Sequence, residues 1–356
     1  MLRVGVVGTG DISRIYLDNI TKVFSDKLIL KGVTNKTFSK AEKTAAEYNV
    51  KAYKTTDELL QSSDIDIILN LTPPKSHYEV ALAALRAGKH VYNEKPVCTK
   101  REEAQELIKT ANEKGIRIGS APDTFLGAGL QTCRKLIDDG WIGKPAAATA
   151  FMMSHGIEHW HPSPHFFYKE GAGPMLDIGP YYLTALINLL GPITRVCGSA
   201  KMTYPVRTIT NQFQYGQTID VEIPTHITGV LDFACGTSAV IITSFDIHSH
   251  SLPFIEIYGS EGTMKLPDPN TFGGEILIKR FNEEKWSSIP LLKNYSENSR
   301  GLGLAEMAEA IEQGRPHRAS FELAYHVLDV MHGIHDASAS GKYYKLKSKC
   351  KRPEAM

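Results

Sequence analysis

A chain of 356 residues, 42% hydrophobic and 22% charged, has the make-up of a folded protein and is long enough for two domains with separate cores. Its net charge of +1, with acids and bases interspersed, gives no field that would gather nucleic acid or an anionic membrane surface. The opening MLRVGVVGTGD has too brief an apolar run for a secretory leader, and five scattered cysteines without a CxxC pair predict reduced thiols in a cytoplasmic protein.

From residue 1 to 122, short apolar runs alternate with helical patterns. LRVGVVG reads as a strand, followed by a helix from about Asp11 to Val23. LILKGVT is the next strand and SKAEKTAAEY the next helix. IDIILNLT, an amphipathic stretch through YEVALAALRAG, then KHVYNE, EEAQELIKTANEKG and IRIGSA continue the rhythm. Strand–helix repetition of this kind predicts an α/β domain with a doubly wound parallel (Rossmann) sheet over 1–122. After about residue 145 the rhythm changes: AAATAFMM, THITGVLDF, TSAVIITSF, FIEIYGS, GTMKL and GEILIKRF read as strands, with hairpin turns at DFACGTS and YGSEGT. Residues 123–356 are therefore expected to form an α+β domain around a large, mostly antiparallel open sheet. The stretch IGPYYLTALINLLGPIT, broken by Gly and Pro near both ends, reads as a buried helix and not a membrane span. An antiparallel sheet with one open face often finds a partner, which predicts a homo-oligomer, dimer or tetramer, through this sheet.

The first strand runs into Gly8-Thr9-Gly10-Asp11-Ile12-Ser13, close to GxGxxG with Ser13 in the third glycine's place. Glycines here permit a tight turn and let the backbone approach a pyrophosphate at a helix N-terminus. Gly8, Gly10, Asp11 and Ile12 are thus candidate dinucleotide-binding residues. The second strand ends in Asn35 and Lys36 where an NAD site would carry a carboxylate for the adenosine ribose. Without that carboxylate a 2′-phosphate is not repelled, and Lys36 with Lys40 supplies positive charge, so the expected cofactor is NADP, with NAD as the alternative.

Residues 70–77, NLTPPKSH, and 89–96, KHVYNEKP, together with GVVGTGDIS and GAGPMLDIGPYY, resemble the Gfo/Idh/MocA oxidoreductases along essentially the whole chain. That family is named for glucose–fructose oxidoreductase and inositol dehydrogenase. The resemblance implies NAD(P)-dependent hydride transfer to or from sugars, polyols and related hydroxy compounds. It implies that Thr72, Pro73 and His77 line the cofactor, that Glu94 and Lys95 flank the nicotinamide, and that Lys95 contacts the substrate hydroxyl. A lysine at the carboxyl end of a parallel strand faces the ligand crevice of such a sheet, where its charge favours an alkoxide.

The family's second-domain motif is an aspartate followed four residues on by a histidine, behind a glycine-rich loop. Here the loop is Gly171-Ala172-Gly173-Pro174, the aspartate is Asp177, and Tyr181 stands in the histidine position. This is similar to the branch around glucose–fructose oxidoreductase and dimeric dihydrodiol dehydrogenase. On one helix, residues four apart share a face and can meet one sugar. A free tyrosine, with a pKa of about 10, is a poor base at neutral pH, and a neighbouring ammonium stabilises its phenolate. The expected roles are Tyr181 as proton acceptor, Lys95 as its activator and Asp177 as the carboxylate that orients the substrate.

Residues 155–165, HGIEHWHPSPH, read as a substrate-side loop, with His159 and His161 as hydrogen-bonding groups and Trp160 as a flat surface for a sugar ring. No HExxH or CxxC pattern is present and two prolines break the stretch, so no metal is expected. Asp123 and Thr124, after the last nucleotide-domain strand, are further substrate candidates. Two other readings remain at this stage. One is redox-neutral, NAD-dependent glycoside cleavage; the other is an NADP-binding regulator without turnover.

Overall fold

The computed structural model describes residues 1–356. The chain opens with β1 (Leu2–Val7), α1 (Ser13–Lys22), β2 (Leu28–Thr34), α2 (Phe38–Tyr48), β3 (Lys51–Tyr53), α3 (Thr56–Gln61), β4 (Ile67–Asn70), α4 (His77–Arg86), β5 (His90–Asn93), α5 (Arg101–Lys114) and β6 (Ile118–Ser120). All six strands are parallel, in the order β3-β2-β1-β4-β5-β6. Val4, Val6, Ile67, Ile68, Leu69 and Val91 are fully buried. Covered on both faces by helices, these strands read as continuous apolar runs and not as alternating ones. The strand order reverses between β1 and β4, which is where a sheet of this type opens a crevice at its carboxyl ends.

The chain continues through α6 (Ala128–Asp138), β7 (Pro145–Met153), α7 (Pro174–Asp177), α8 (Gly179–Leu190), β8 (Ile193–Lys201), β9 (Val206–Thr208), β10 (Thr218–Asp220), β11 (His226–Phe233), β12 (Ser238–Ser244), β13 (Ile255–Gly259), β14 (Gly262–Leu266), β15 (Ile276–Arg280) and β16 (Ser287–Ile289). After α9 (Leu302–Glu312) and α10 (Phe321–Ser340) it ends with β17 (Tyr344–Lys345). The large sheet has nine strands, β16-β15-β14-β13-β7-β12-β11-β8-β17. Its pairs are antiparallel except β7 with β12. Along β11 burial alternates strictly, with Ile227, Gly229, Leu231 and Phe233 inward, as a sheet with one packed face requires. Every residue of α8 is buried. No helix of the chain is long and apolar enough to cross a membrane.

Two compact units result: Met1–Leu126 with Glu297–Leu328, and Gly127–Ser296 with Asp329–Met356. The first thus runs past residue 122 and regains a segment, 297–328, that sequence pattern had left in the second. Long-range hydrogen bonds hold that segment. Ser120 N donates to Ala319 O at 3.1 Å, and the Asn19 amide donates to the carbonyls of Asn298 and Arg300 at 2.8 Å each. Helix α1 begins at Ser13, two residues later than its pattern suggested, because Gly10 to Ile12 are spent in the turn.

Asp123 anchors the returning segment. Its carboxylate, 1% exposed, accepts the backbone N–H groups of Gly301 and Gly303 at 2.9 Å each, at the N-terminus of α9. Gly303 must be glycine, since a Cβ there would run into the Tyr92 hydroxyl and Asp123. Burial pushes the Asp123 pKa up to about 6, while the two N–H donors and Arg300 act in the opposite sense. A carboxyl whose folded pKa exceeds its unfolded value holds its proton more tightly when folded, so its burial is less costly as pH falls from about 6 towards 4. Asp123→Asn keeps an acceptor for both N–H groups and removes the buried charge. Its thermal midpoint at pH 8 is expected to match or exceed wild type, with a flatter pH dependence between pH 4 and 6. Asp123→Ala leaves two buried donors unpaired and should lose about 1–3 kcal/mol, read by denaturant unfolding.

Candidate functional site

The glycine turn after β1 holds two glycines for different reasons. Gly8 has φ +101°, and a Cβ there would press on the Leu71 carbonyl and the Thr72 nitrogen at 2.8–3.0 Å. Folding alone demands that glycine. A Cβ on Gly10 would meet no protein atom within 4 Å. The clear space there is what a ligand approaching the backbone needs. No side chain caps the N-terminus of α1, and the Ser13 hydroxyl turns back to Gly10 O at 2.6 Å. Asp11 and Ile12 are exposed beside it. An uncapped helix N-terminus behind an open glycine turn fits a dinucleotide pyrophosphate.

At the end of β2, Asn35 is used locally: its amide donates to Thr9 Oγ1 at 2.9 Å and its carbonyl oxygen accepts Thr37 N at 2.9 Å. It braces the glycine turn. Lys36 and Lys40 are exposed beyond it, and no carboxylate stands at the strand end.

The carboxyl ends of β4 and β5 are joined by a network that sequence reading did not single out. Asn70 and Asn93 are both fully buried. The Asn70 amide donates to Asn93 Oδ1 at 3.0 Å and to His77 O at 3.1 Å, and its own oxygen accepts the Thr72 hydroxyl at 2.7 Å. The Asn93 amide donates to Val97 O at 2.9 Å. The signal was a polar residue closing each of two otherwise apolar runs, IILN and HVYN. His77 is fully buried, its ring lying between the carbonyls of Thr72 and Pro96 at 2.7 Å each. It therefore joins the two loops and does not present its ring to a ligand. Thr72 and Lys95 are half-buried and Pro73 is exposed.

Glu94 is 8% exposed. Its carboxylate accepts the Tyr16 hydroxyl at 2.7 Å and the Lys95 backbone N–H at 2.7 Å. The carboxylate holds the turn from within, and burial beside Glu94 and Asp123 pushes the Tyr16 phenol well up. Lys95 follows the end of β5 and sits in the turn, not on the strand. Together Gly8, Gly10, Asn35, Thr72, Pro73, His77, Glu94 and Lys95 gather at the carboxyl ends of β1, β2, β4 and β5.

In the second unit, Asp177 and Tyr181 do not share one continuous helix. Helix α7 ends at Asp177, Ile178 breaks the geometry at φ −111°, and α8 restarts at Gly179 with Pro180 in its first turn. A proline cannot donate to the carbonyl four residues back, so a single helix through Pro180 is disfavoured. Asp177 is half-buried and Tyr181 is 6% exposed. Tyr182 is buried too, which pushes its phenol up.

The histidine-rich loop is organised by a buried ion cluster. Arg207 pairs with Glu158 at 2.9 Å and Asp246 at 3.1 Å, with all three side chains under a tenth exposed. The Tyr168 hydroxyl donates to Glu158, and Asn211 donates to His161 O at 2.8 Å. His161 Nδ1 accepts Ser163 N at 3.0 Å, and His165 meets Gln214 at 3.1 Å. No group of three or more ligating side chains is placed to hold a metal ion. His159 and Trp160 are exposed, Trp160 at 57%. Asp123 and Thr124 lie 1% and 2% exposed, and the Asp123 carboxylate is engaged with the N-terminus of α9.

Comparison with known proteins agrees with this geometry. Residues 2–121 match the model for an oxidoreductase family with an NAD-binding Rossmann fold, and residues 130–265 match the GFO/IDH/MocA C-terminal domain. Inositol 2-dehydrogenase 3 of Saccharopolyspora erythraea is 26% identical over 76% of this chain and 75% of its own. A scyllo-inositol 2-dehydrogenase (NADP(+)) of Bacillus subtilis is 22% identical over 95% and 94%. The crystal structure of an NAD binding oxidoreductase from Klebsiella pneumoniae superposes with a TM-score of 0.83 over 98% of this chain and 99% of that one, at 22% identity. With both domain models matched in order on the sheet, glycine turn and strand-end loops described above, the chain belongs to the Gfo/Idh/MocA family of NAD(P)-binding oxidoreductases.

Proposed function

We propose that this protein is an NADP-preferring dehydrogenase of a sugar, polyol or related hydroxy compound. The observation that carries the reading is the open glycine turn before an uncapped α1, set beside the braced loops that follow β4 and β5. Gly8, Gly10, Asp11, Ile12, Thr72 and Pro73 would hold the dinucleotide, with Asn35 bracing the turn and Lys36 beside the adenosine ribose. When bound, the nicotinamide supplies the hydride acceptor or donor. Names of relatives, inositol dehydrogenases among them, support a hydroxyl-rich substrate.

Removing hydride from a carbinol carbon also requires removing a proton from its oxygen. Tyr181 takes that proton, and Lys95, as a cation, favours both phenolate and alkoxide over their neutral forms. Asp177 accepts a substrate hydroxyl and fixes its orientation. Tyr181 is nearly buried, so little bulk water competes for its hydroxyl. His159, Trp160 and His161 offer the sugar a flat face and polar edges on a loop stiffened by the Arg207 cluster. A cytoplasmic location fits five cysteines that form no disulfide.

We also infer a homo-oligomer through the open face of the large sheet. There Thr228 and Val230 of β11, Val240 and Ile242 of β12, and Thr149 and Phe151 of β7 stand side by side in register, half-buried and largely apolar. A contiguous apolar face of this kind on adjacent strands is a common association surface.

Tyr181→Phe is expected to lower kcat by about 10²- to 10⁴-fold while the NADPH dissociation constant stays near wild type. An active Tyr181→Phe enzyme removes Tyr181 from the mechanism, and a leaving group released without net NADPH formation selects redox-neutral glycoside cleavage instead. Lys36→Asp restores a carboxylate near the ribose and is expected to weaken NADPH relative to NADH by about 10- to 100-fold, the equivalent of one charge-assisted contact. Fluorescence titration with both nucleotides measures it, and a wild type that prefers NADH rejects the NADP assignment. For the sheet face, Ile242→Glu is expected to convert the oligomer to monomer in light scattering without changing the circular dichroism spectrum.

A further inference from the structure

One side chain spans the loop after β4 and the turn after β5. His77 Nδ1 lies 2.7 Å from Pro96 O, and His77 Nε2 lies 2.7 Å from Thr72 O. Both partners are backbone carbonyls, and carbonyls only accept. A neutral imidazole has one N–H, so it can serve one of them. Its second nitrogen would then set a lone pair against a carbonyl lone pair at hydrogen-bond distance. Turning the ring over puts carbons where the nitrogens are and improves nothing. The imidazolium, with two N–H groups, is the form that satisfies both contacts.

We propose that His77 is a positioning residue of the dinucleotide site, a proton-operated clamp. Doubly protonated, it ties the Thr72 carbonyl to the Pro96 carbonyl and fixes the two loops on which the cofactor lies. Neutral, it releases one of them. The inference rests on reading residues 72–73 and 94–96 as cofactor loops.

The surroundings set the ring's proton in balance. Burial is the strongest influence and lowers the His77 pKa below the ordinary imidazole value; the carbonyls of Pro96 and Thr72 and the charge of Glu94 work for the proton, and Lys95 works against it. The clamp therefore closes at a pH below the ordinary imidazole range. The other side chains in the joint, the Asn70 and Asn93 amides and the Thr72 hydroxyl, do not titrate in this range. Binding and protonation are reciprocal: if the clamped arrangement holds cofactor more tightly, cofactor raises the proton affinity of His77 by the same factor.

The test combines two measurements on the full chain. NADH affinity is titrated from pH 5 to 8 for wild type and His77→Gln; NADH lacks the 2′-phosphate, which itself titrates in this range. Imidazole ¹⁵N resonances are followed with and without NADH, His77 being assigned by its loss in the variant. The expected result is a wild-type Kd that falls about five- to tenfold as pH drops through one protonation step. His77 should carry protons on both nitrogens at the low-pH end, with a pKa raised by NADH. His77→Gln, which can donate to one carbonyl, should give a flat affinity profile across the same pH range. A His77 that stays neutral throughout with NADH bound overturns the clamp, as does a variant that keeps the wild-type affinity profile. Should the variant fail to fold, the wild-type resonances and affinity profile decide the matter. A chain that binds no nucleotide at any pH, while His77 titrates, overturns the cofactor reading and the positioning role with it.

Discussion

The functional end of the first unit depends on a buried polar joint. β4 and β5 are apolar and covered on both faces, yet each must hand its chain to a loop at the carboxyl edge of the sheet. Asn70 and Asn93 make that handover without leaving backbone groups unpaired. Their amides satisfy each other, the His77 and Val97 carbonyls and the Thr72 hydroxyl. A buried donor left unpaired costs about 1–3 kcal/mol, so loss of either asparagine would loosen both loops at once. Tyr16 and Glu94 repeat the device beneath the turn that carries Lys95.

The second unit uses charge for a similar purpose. Glu158, Arg207 and Asp246 are all nearly excluded from water, an arrangement that is tolerable only with each charge paired. Two carboxylates share one guanidinium, and Arg207 is further held by the Phe245 carbonyl at 2.7 Å. The result is a stiff base for a loop whose outer residues, His159 and Trp160, face solvent. The histidines that seemed the feature of this stretch are mostly engaged in its turns, and Glu158 is its anchor.

Local pattern carried most of the fold. Parallel strands with apolar runs, the glycine turn and the later alternating strands were legible because each follows from residues adjacent in sequence. What escaped were relations between distant residues. The return of 297–328 to the first unit rests on Asn19, Ser120 and Asp123, none of which marks its partner in sequence. Strand β8 was missed because ITRVCGSAK mixes exposed charge with few inward apolar positions. The break at Ile178 did have a signal, Gly179-Pro180, which suits a helix start better than a helix interior. Motif resemblance singled out Glu94 and His77, and position after the last strand singled out Asp123; burial turns all three side chains inward.

Burial of this kind separates two kinds of demand on a sequence. Gly8, Glu94 and Asp123 answer to the protein: each meets its own backbone at close range, and that contact explains why the residue type is there. Gly10 does not, because a side chain there would meet nothing the chain supplies. Glycine in the middle of a turn with room for a Cβ weakens the fold through added freedom of the unfolded chain. A cost of that kind without a packing reason points outside the protein, to a ligand that takes the space. By this criterion the protein's own packing does not explain the glycine at position 10, as it explains the residue types at Gly8, Glu94 and Asp123.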